Sequence, residues 1–165
     1  MGRSRAGVEI HSTAIVSDSA EIGERSTIWA FVQVMDGVEI GKDCVIGNGV
    51  YIDRNVKIGN NVKIHNKACI YEGTIIEDDV FIGPGVCFTN DKYPRYDKTR
   101  RMGGIFWKVG KSSSIGANVT ILPGVNIGAK ANIGAGSVVT KDVPAGMLSY
   151  GNPAEVMGKT KISKE

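Results

Sequence analysis

The sequence predicts an all-β fold, a single chain wound as a parallel β-helix, and three observations carry that reading. Apolar residues recur every six positions without a polar exception: Ile10, Val16, Ile22, Ile28, Val34, Ile40, Ile46, Ile52, Ile58, Ile64, Ile70, Ile76, Ile82 and Phe88. Four positions after each comes a small or β-branched residue, from Ala14 and Ala20 through Ser26 and Cys44 to Val80 and Val86. The series stops once and resumes at Val109, Ile115, Ile121, Ile127, Ile133 and Val139. A short period sustained over nearly the whole chain is the mark of a solenoid.

Each element follows from the period. Six residues suit neither an amphipathic helix nor an alternating hairpin strand, but they suit a short strand and a turn. Three such units make a coil of eighteen residues that closes as a triangle. The aliphatic residue points into the prism and its small partner fills space near a corner. Successive coils stack as parallel strands roughly 4.8 Å apart. Glycine follows the aliphatic residue directly at Gly23, Gly41, Gly47, Gly59 and Gly83. There it is expected to supply backbone freedom where a Cβ would be strained.

The 165 residues suit one domain, 1–165, with a loop at about 90–108 and a tail at about 144–165. No apolar run is long enough to span a membrane, and the start MGRSRAG lacks a signal-peptide core. It also fails the myristoylation pattern, because Ala6 stands where Ser or Thr is needed. The expectation is a cytoplasmic protein with no membrane insertion. A formal charge of +3 is too mild to suggest nucleic acid, although basic residues gather at both ends and between Lys92 and Lys111. Cys44, Cys69 and Cys87 have no metal-ligand spacing. Cys69 and Cys87, eighteen apart, should stack on adjacent coils as reduced packing thiols, with a disulfide as the alternative.

The break between Phe88 and Val109 holds about fifteen extra residues, polar, basic and aromatic. Insertions at solenoid corners often carry function, the bland alternative being a decorative loop. Arg95, Arg100 and Arg101 suit phosphate or carboxylate. Tyr93, Tyr96, Phe106 and Trp107 suit a sugar, a base or a neighbouring subunit.

The eighteen-residue period predicts columns. Arg54, Glu72 and Asn90 fall in one, extended past the insertion to Pro123 and Lys141. Pro84, Ala117, Ala135 and Pro153 fall in another, whose small residues either admit a long thin ligand or simply satisfy turn sterics. Of the two histidines, His11 lies about 20 Å from the loop along the axis. His65 lies little more than one coil below it, on the preceding face, and a neighbour's His65 is a candidate to touch substrate in a parallel trimer. Three histidines for a hydrolytic zinc site are not available, so no metal is expected.

The hexapeptide series, the run from Tyr71 through Gly83-Pro84 and the segment Phe88-Thr-Asn-Asp-Lys-Tyr-Pro-Arg resemble the hexapeptide acyltransferases. Among these the chain looks most like bacterial N-acetyltransferases of nucleotide-linked 3-amino sugars. The less specific closing segments Val138-Val-Thr-Lys-Asp-Val-Pro-Ala-Gly and Gly151-Asn-Pro-Ala belong to the same likeness, which covers roughly residues 8 to 160. The resemblance implies a left-handed coil, a homotrimer with sites between subunits, and acetyl-CoA as donor. It implies that Asn90 sits beside the sugar amine. Galactoside and xenobiotic acetyltransferases carry a histidine base in the corresponding loop, and Thr89-Asn-Asp-Lys-Tyr-Pro has none. An amine, once it has lost its ammonium proton, attacks without the base an alcohol needs. Related bacillosamine-pathway enzymes add an N-terminal domain; with repeats starting by Ile10, none is expected here.

The resulting expectation is acetyl transfer from acetyl-CoA to the 3-amino group of a UDP- or dTDP-linked sugar, for surface polysaccharide. Asn90 and Glu72 would act at the amine. Arg54, Tyr71, Asp91, Arg95 and His65 would bind the sugar nucleotide. Ala117, Gly134, Ala135, Lys141, Asn152 and Pro153 would bind the donor. The alternatives are transfer to an antibiotic, amino acid or simple sugar, and a non-catalytic β-helix scaffold.

Overall fold

The computed structural model describes residues 7–97 and 107–160. Every regular element among them is a strand, mostly two residues long, and the strands stack into three sheets of nine, seven and five. The first face begins with Glu9–Ile10 and Thr27–Ile28, the second with Ile15–Val16, and the third with Glu21–Ile22. Up to the break after Phe88, neighbours within each face are parallel and eighteen residues apart, as in Ile10↔Ile28, Val34↔Ile52 and Ile40↔Ile58. The period therefore sets the register. The aliphatic series and its small partners fill the prism, with Ile46, Val50, Ile52, Val56, Val62, Ala68 and Ile70 fully buried. The second face outward is uncharged: Ile15, Gln33, Tyr51, Cys69, Cys87, Thr120 and Val138. The third carries Glu21, Glu39, Lys57 and Lys108.

The corner chemistry corrects one expectation. The residues with left-handed backbone are not the glycines after the strand but those three positions past its aliphatic residue. They include Arg25, Asn55, Asn61 and Lys67, with φ between 54° and 61°, and glycines such as Gly49 and Gly85. The glycines next to the strand answer to crowding. A Cβ on Gly41 would meet the Gly59 carbonyl carbon at 2.6 Å, in the next coil.

Across the break, Ile82 pairs with Ile115, 33 positions on instead of eighteen, so fifteen residues are inserted. The loop is shorter at its far end than expected, because Trp107–Val109 is already a strand of the third face. Trp107 pairs with Thr74 and lies inside the prism, 2% exposed, in the slot elsewhere held by a small residue. It is core and does not present its indole to a ligand or a neighbouring subunit. Phe106, Arg100 and Arg101 lie outside the described residues.

The expected tail is structured through residue 160. Met147–Gly151 adds a last parallel rung to the first face, and Ala154–Lys159 folds back antiparallel on it. Ile127 bridges Val143, sixteen residues on, so the last coil is two residues short.

Cys69 and Cys87 stand opposite each other on adjacent coils, and all three cysteines are free thiols. Burial raises the pKa of each above the ordinary thiol value.

Exposed carboxylates form ladders along the corners. Arg25 donates to both Asp43 oxygens at 2.6 and 2.7 Å, and Lys108 meets Glu77 at 2.5 Å. The hydrogen bond from Arg25 lowers the Asp43 pKa, that from Lys108 lowers Glu77, and that from Asn61 lowers Asp79. A carboxylate with a depressed folded pKa stabilises the fold above its unfolded pKa and loses that contribution as pH falls through the folded value. The melting temperature should therefore drop by a few degrees between about pH 5 and pH 3. High salt should blunt the effect, since exposed pairs are screened. A flat profile over that window in thermal scans would contradict it.

Candidate active site

The corner between the second and third faces carries the expected column. From Ile52↔Ile70, Cys69↔Cys87, Phe88↔Ile121 and Ile121↔Val139, the register puts Arg54, Glu72, Asn90, Pro123 and Lys141 on successive coils. Arg54 and Lys141 are exposed, and Glu72 and Asn90 half-buried. Glu72 Oε1 accepts a hydrogen bond from Asn55 Nδ2 at 3.2 Å. No described group hydrogen-bonds to the Asn90 side chain or pairs with the Arg54 guanidinium. A carboxylate and an amide thus stand one coil apart, about 4.8 Å along the axis, with a cation one coil below.

One residue of this corner was missed from sequence. Asp53 is 4% exposed. It accepts from Tyr51 Oη at 3.1 Å, from the Arg54 amide at 2.9 Å and, more weakly, from the Glu72 amide at 3.5 Å. It therefore positions two adjacent rungs of the column. Its only sequence signal is a carboxylate directly after an inward-facing isoleucine. Tyr71, half-buried, packs its ring 5.7 Å from that of Tyr51.

The start of the loop is ordered locally. Asp91 accepts from the Tyr93 amide at 2.8 Å. Arg95, expected to meet phosphate, is exposed and holds Asp97 in a bidentate pair at 3.0 and 2.8 Å. Its charge is matched there.

The corner between the first and second faces carries the small-residue column. Pro84, Ala117 and Ala135 follow from Ile82↔Ile115 and Ile115↔Ile133. Pro153 does not belong to it. Ile133 pairs with Ser149, sixteen residues on, which brings Gly151 over Ala135. The shortened last coil is the cause, and Asn152 and Pro153 form the exposed turn of the final hairpin. A Cβ on Gly134 would meet the Tyr150 Cβ at 2.7 Å, so Gly134 is needed for stacking as well as for a smooth surface. His65, exposed, lies on this same corner, its ring 4.9 Å from that of Phe81. His65 and Asn90 therefore sit on different corners of one chain.

Among the described residues no group of histidine, cysteine and carboxylate side chains is arranged to hold a metal. No described helix is long and apolar enough to cross a membrane.

With this geometry in view, the sequence matches the family described as Bacterial transferase hexapeptide (six repeats) over residues 19–54, 55–90 and 108–141. The architecture agrees with that family's left-handed β-helix. The chain is 38% identical over 85 residues to the galactoside O-acetyltransferase of Escherichia coli, 50% of this chain and 42% of that one. It is 56% identical over 50 residues to the dTDP-3-amino-3,6-dideoxy-alpha-D-galactopyranose 3-N-acetyltransferase of Aneurinibacillus thermoaerophilus, covering 30% and 26%. The chain spans less than half the length of these curated relatives. A solved structure of PerB from Caulobacter crescentus, in complex with CoA and GDP-perosamine, aligns with a TM-score of 0.58 and 26% identity. That alignment covers 92% of this chain and 57% of PerB.

Proposed function

The chain belongs to the bacterial hexapeptide transferase family, and on that premise we propose that it transfers acetyl from acetyl-CoA to the 3-amino group of a UDP- or dTDP-linked sugar. The observation that carries this reading is the column of Arg54, Glu72 and Asn90, a corner with an amide and a carboxylate and no imidazole. The short, strong likeness to a dTDP-amino-sugar N-acetyltransferase supports it.

The amine lone pair attacks the thioester carbonyl. The tetrahedral intermediate collapses with cleavage of the C–S bond, and the thiolate of CoA takes the proton released from the former amine. Asn90 orients the amine or polarises the carbonyl, and Glu72 holds the amine or accepts its proton through water. Arg54 meets phosphate or a sugar carboxylate. Pantetheine runs along Ala117, Gly134 and Ala135, and Lys141 meets a CoA phosphate.

The active form is a homotrimer. The uncharged second face lies between the donor column and the Asn90 corner, so packing copies about that face brings one copy's donor column beside another's Asn90. Closed cyclic assembly is the usual outcome for such surfaces. The setting is cytoplasmic, in synthesis of surface polysaccharide.

The test is thiol release from acetyl-CoA with a panel of acceptors, alongside light scattering. UDP- or dTDP-linked 3-amino sugars should be acetylated by a particle of trimer mass. Galactosides acetylated as efficiently, or a monomer at micromolar concentration, would overturn the corresponding part.

A further inference from the structure

We infer that the slot around Trp29 and His65 is the nucleobase subsite of this protein, taking the base of a nucleoside diphosphate. This deepens the proposed function and rests on it for the acceptor class, though not for the binding test below.

The slot is a cleft of about 310 Å³ lined by Trp29, Val45, Gly47, Asn48, Ile64, His65 and Asn66. It lies on the same corner as Ala117 and Ala135. From Ile28↔Ile46 and Ile46↔Ile64, the residues Trp29, Gly47 and His65 follow one another on successive coils. The indole and the imidazole are therefore two coils apart, roughly 10 Å at the backbone, with a glycine between them. The two aromatic rings both line the cleft, and Gly47 between them is required because a Cβ there would meet Asn66 Oδ1 at 2.6 Å. Trp29 is 49% exposed although it is a large apolar side chain. Such a platform suits a flat heteroaromatic ring of any sequence identity.

The rim has hydrogen-bonding and charged groups of the right kind. Asn66 Oδ1 accepts from the Asn48 amide at 2.9 Å, which leaves Asn66 Nδ2 and the Asn48 side chain to read a base edge. Lys63 and Lys67 flank His65 on the same coil and form no ion pair among the described residues. Their column neighbours are Val45 and Phe81, and Gly49 and Gly85, none of them acidic. Two unmatched cations beside an aromatic slot select a phosphorylated heterocycle over a neutral one.

The height along the axis fits as well. Gly47 and Arg54 belong to one coil, Asn90 lies two coils above Arg54, and Ala117 and Ala135 lie on the next two coils. Base, phosphates, amine and donor thioester then follow in order along one seam. Asn90 sits on another corner, so the base is held by one copy while Asn90 of a second copy reaches the amine.

The chain has two tryptophans, and Trp107 is buried, so quenching by acrylamide reports Trp29. Titration with UDP, dTDP and GDP should protect Trp29 from acrylamide saturably for at least one of them. Trp29→Ala should weaken that nucleotide by about tenfold to a hundredfold, read by calorimetry. Trp29→Tyr should retain most of the affinity, and neither change should alter the KM for acetyl-CoA or the melting temperature. Unchanged nucleotide affinity in Trp29→Ala, or no saturable binding of any of the three, overturns the inference. Acetylation of a nucleotide-linked amino sugar with the same KM in Trp29→Ala overturns this subsite and leaves the proposed reaction standing. Nucleotide binding at Trp29 with no amine acetylation does the reverse.

Discussion

Asn90→Ala should lower kcat by about 10²–10³ while leaving acetyl-CoA affinity and the melting temperature near those of the parent. Loss of one well-placed hydrogen bond to the reacting atoms in a dry site costs about 2–4 kcal/mol of transition-state stabilisation. The structure makes this a clean substitution, because no described group depends on the Asn90 amide. Truncation therefore breaks no described hydrogen bond or ion pair of that side chain, and a stability change would point to a role at the loop base instead. Glu72→Gln is the companion. It keeps a partner for Asn55 and removes the charge. If the carboxylate helps to deprotonate the amine, the loss should be greatest at low pH, where the substrate is mostly ammonium. Steady-state pH profiles of the parent and both variants, with thermal scans, decide the matter. Near-normal turnover in Asn90→Ala with unchanged melting would remove the site from this column.

Phe88→Ala should be the most costly of the stability changes, at about 3–5 kcal/mol. Phe88 is fully buried and ends the last strand before the insertion, hydrogen-bonded into the ladder with Ile121. Its removal leaves a cavity under the two residues that lead to Asn90. The melting temperature should fall by about 6–20 °C for a chain of this size. Ile10→Ala, in the half-buried first coil, should cost far less. A fall below about 2 °C for Phe88→Ala would mean that the neighbouring coils collapse into the space.

The stacking of Arg54, Glu72 and Asn90 was legible because a fixed period converts spacing into neighbourhood. Once the aliphatic positions are in phase, every eighteenth residue shares a column, and the fifteen-residue insertion only adds a constant. The same arithmetic failed at Pro153, where the chain closes its last coil with two fewer residues. It was silent on Asp53, because its burial depends on hydrogen bonds from Tyr51 and from backbone amides. Trp107 was misread because its chemistry suggested a surface and its register an interior slot, and here register prevailed. The Trp29 slot needed the structure for a similar reason. An exposed tryptophan has no sequence mark, and only the stacking shows that it shares a cleft with His65.

The hairpin of Met147–Gly151 and Ala154–Lys159 bears on how these molecules behave in a crowd. A ladder of parallel strands is open-ended, and its last rung offers unpaired amides and carbonyls to any passing strand. Here the strand Ala154–Lys159 reverses direction and occupies that rung, with Tyr150 opposite Glu155 and Gly151 opposite Ala154. An incoming first coil such as Glu9–Ile10 would need a parallel partner, and on this face the edge of Met147–Gly151 is already taken by an antiparallel strand. The parallel stacking that builds the prism therefore stops at this rung, and a strand from another molecule would have to pair with the outer edge of Ala154–Lys159 instead.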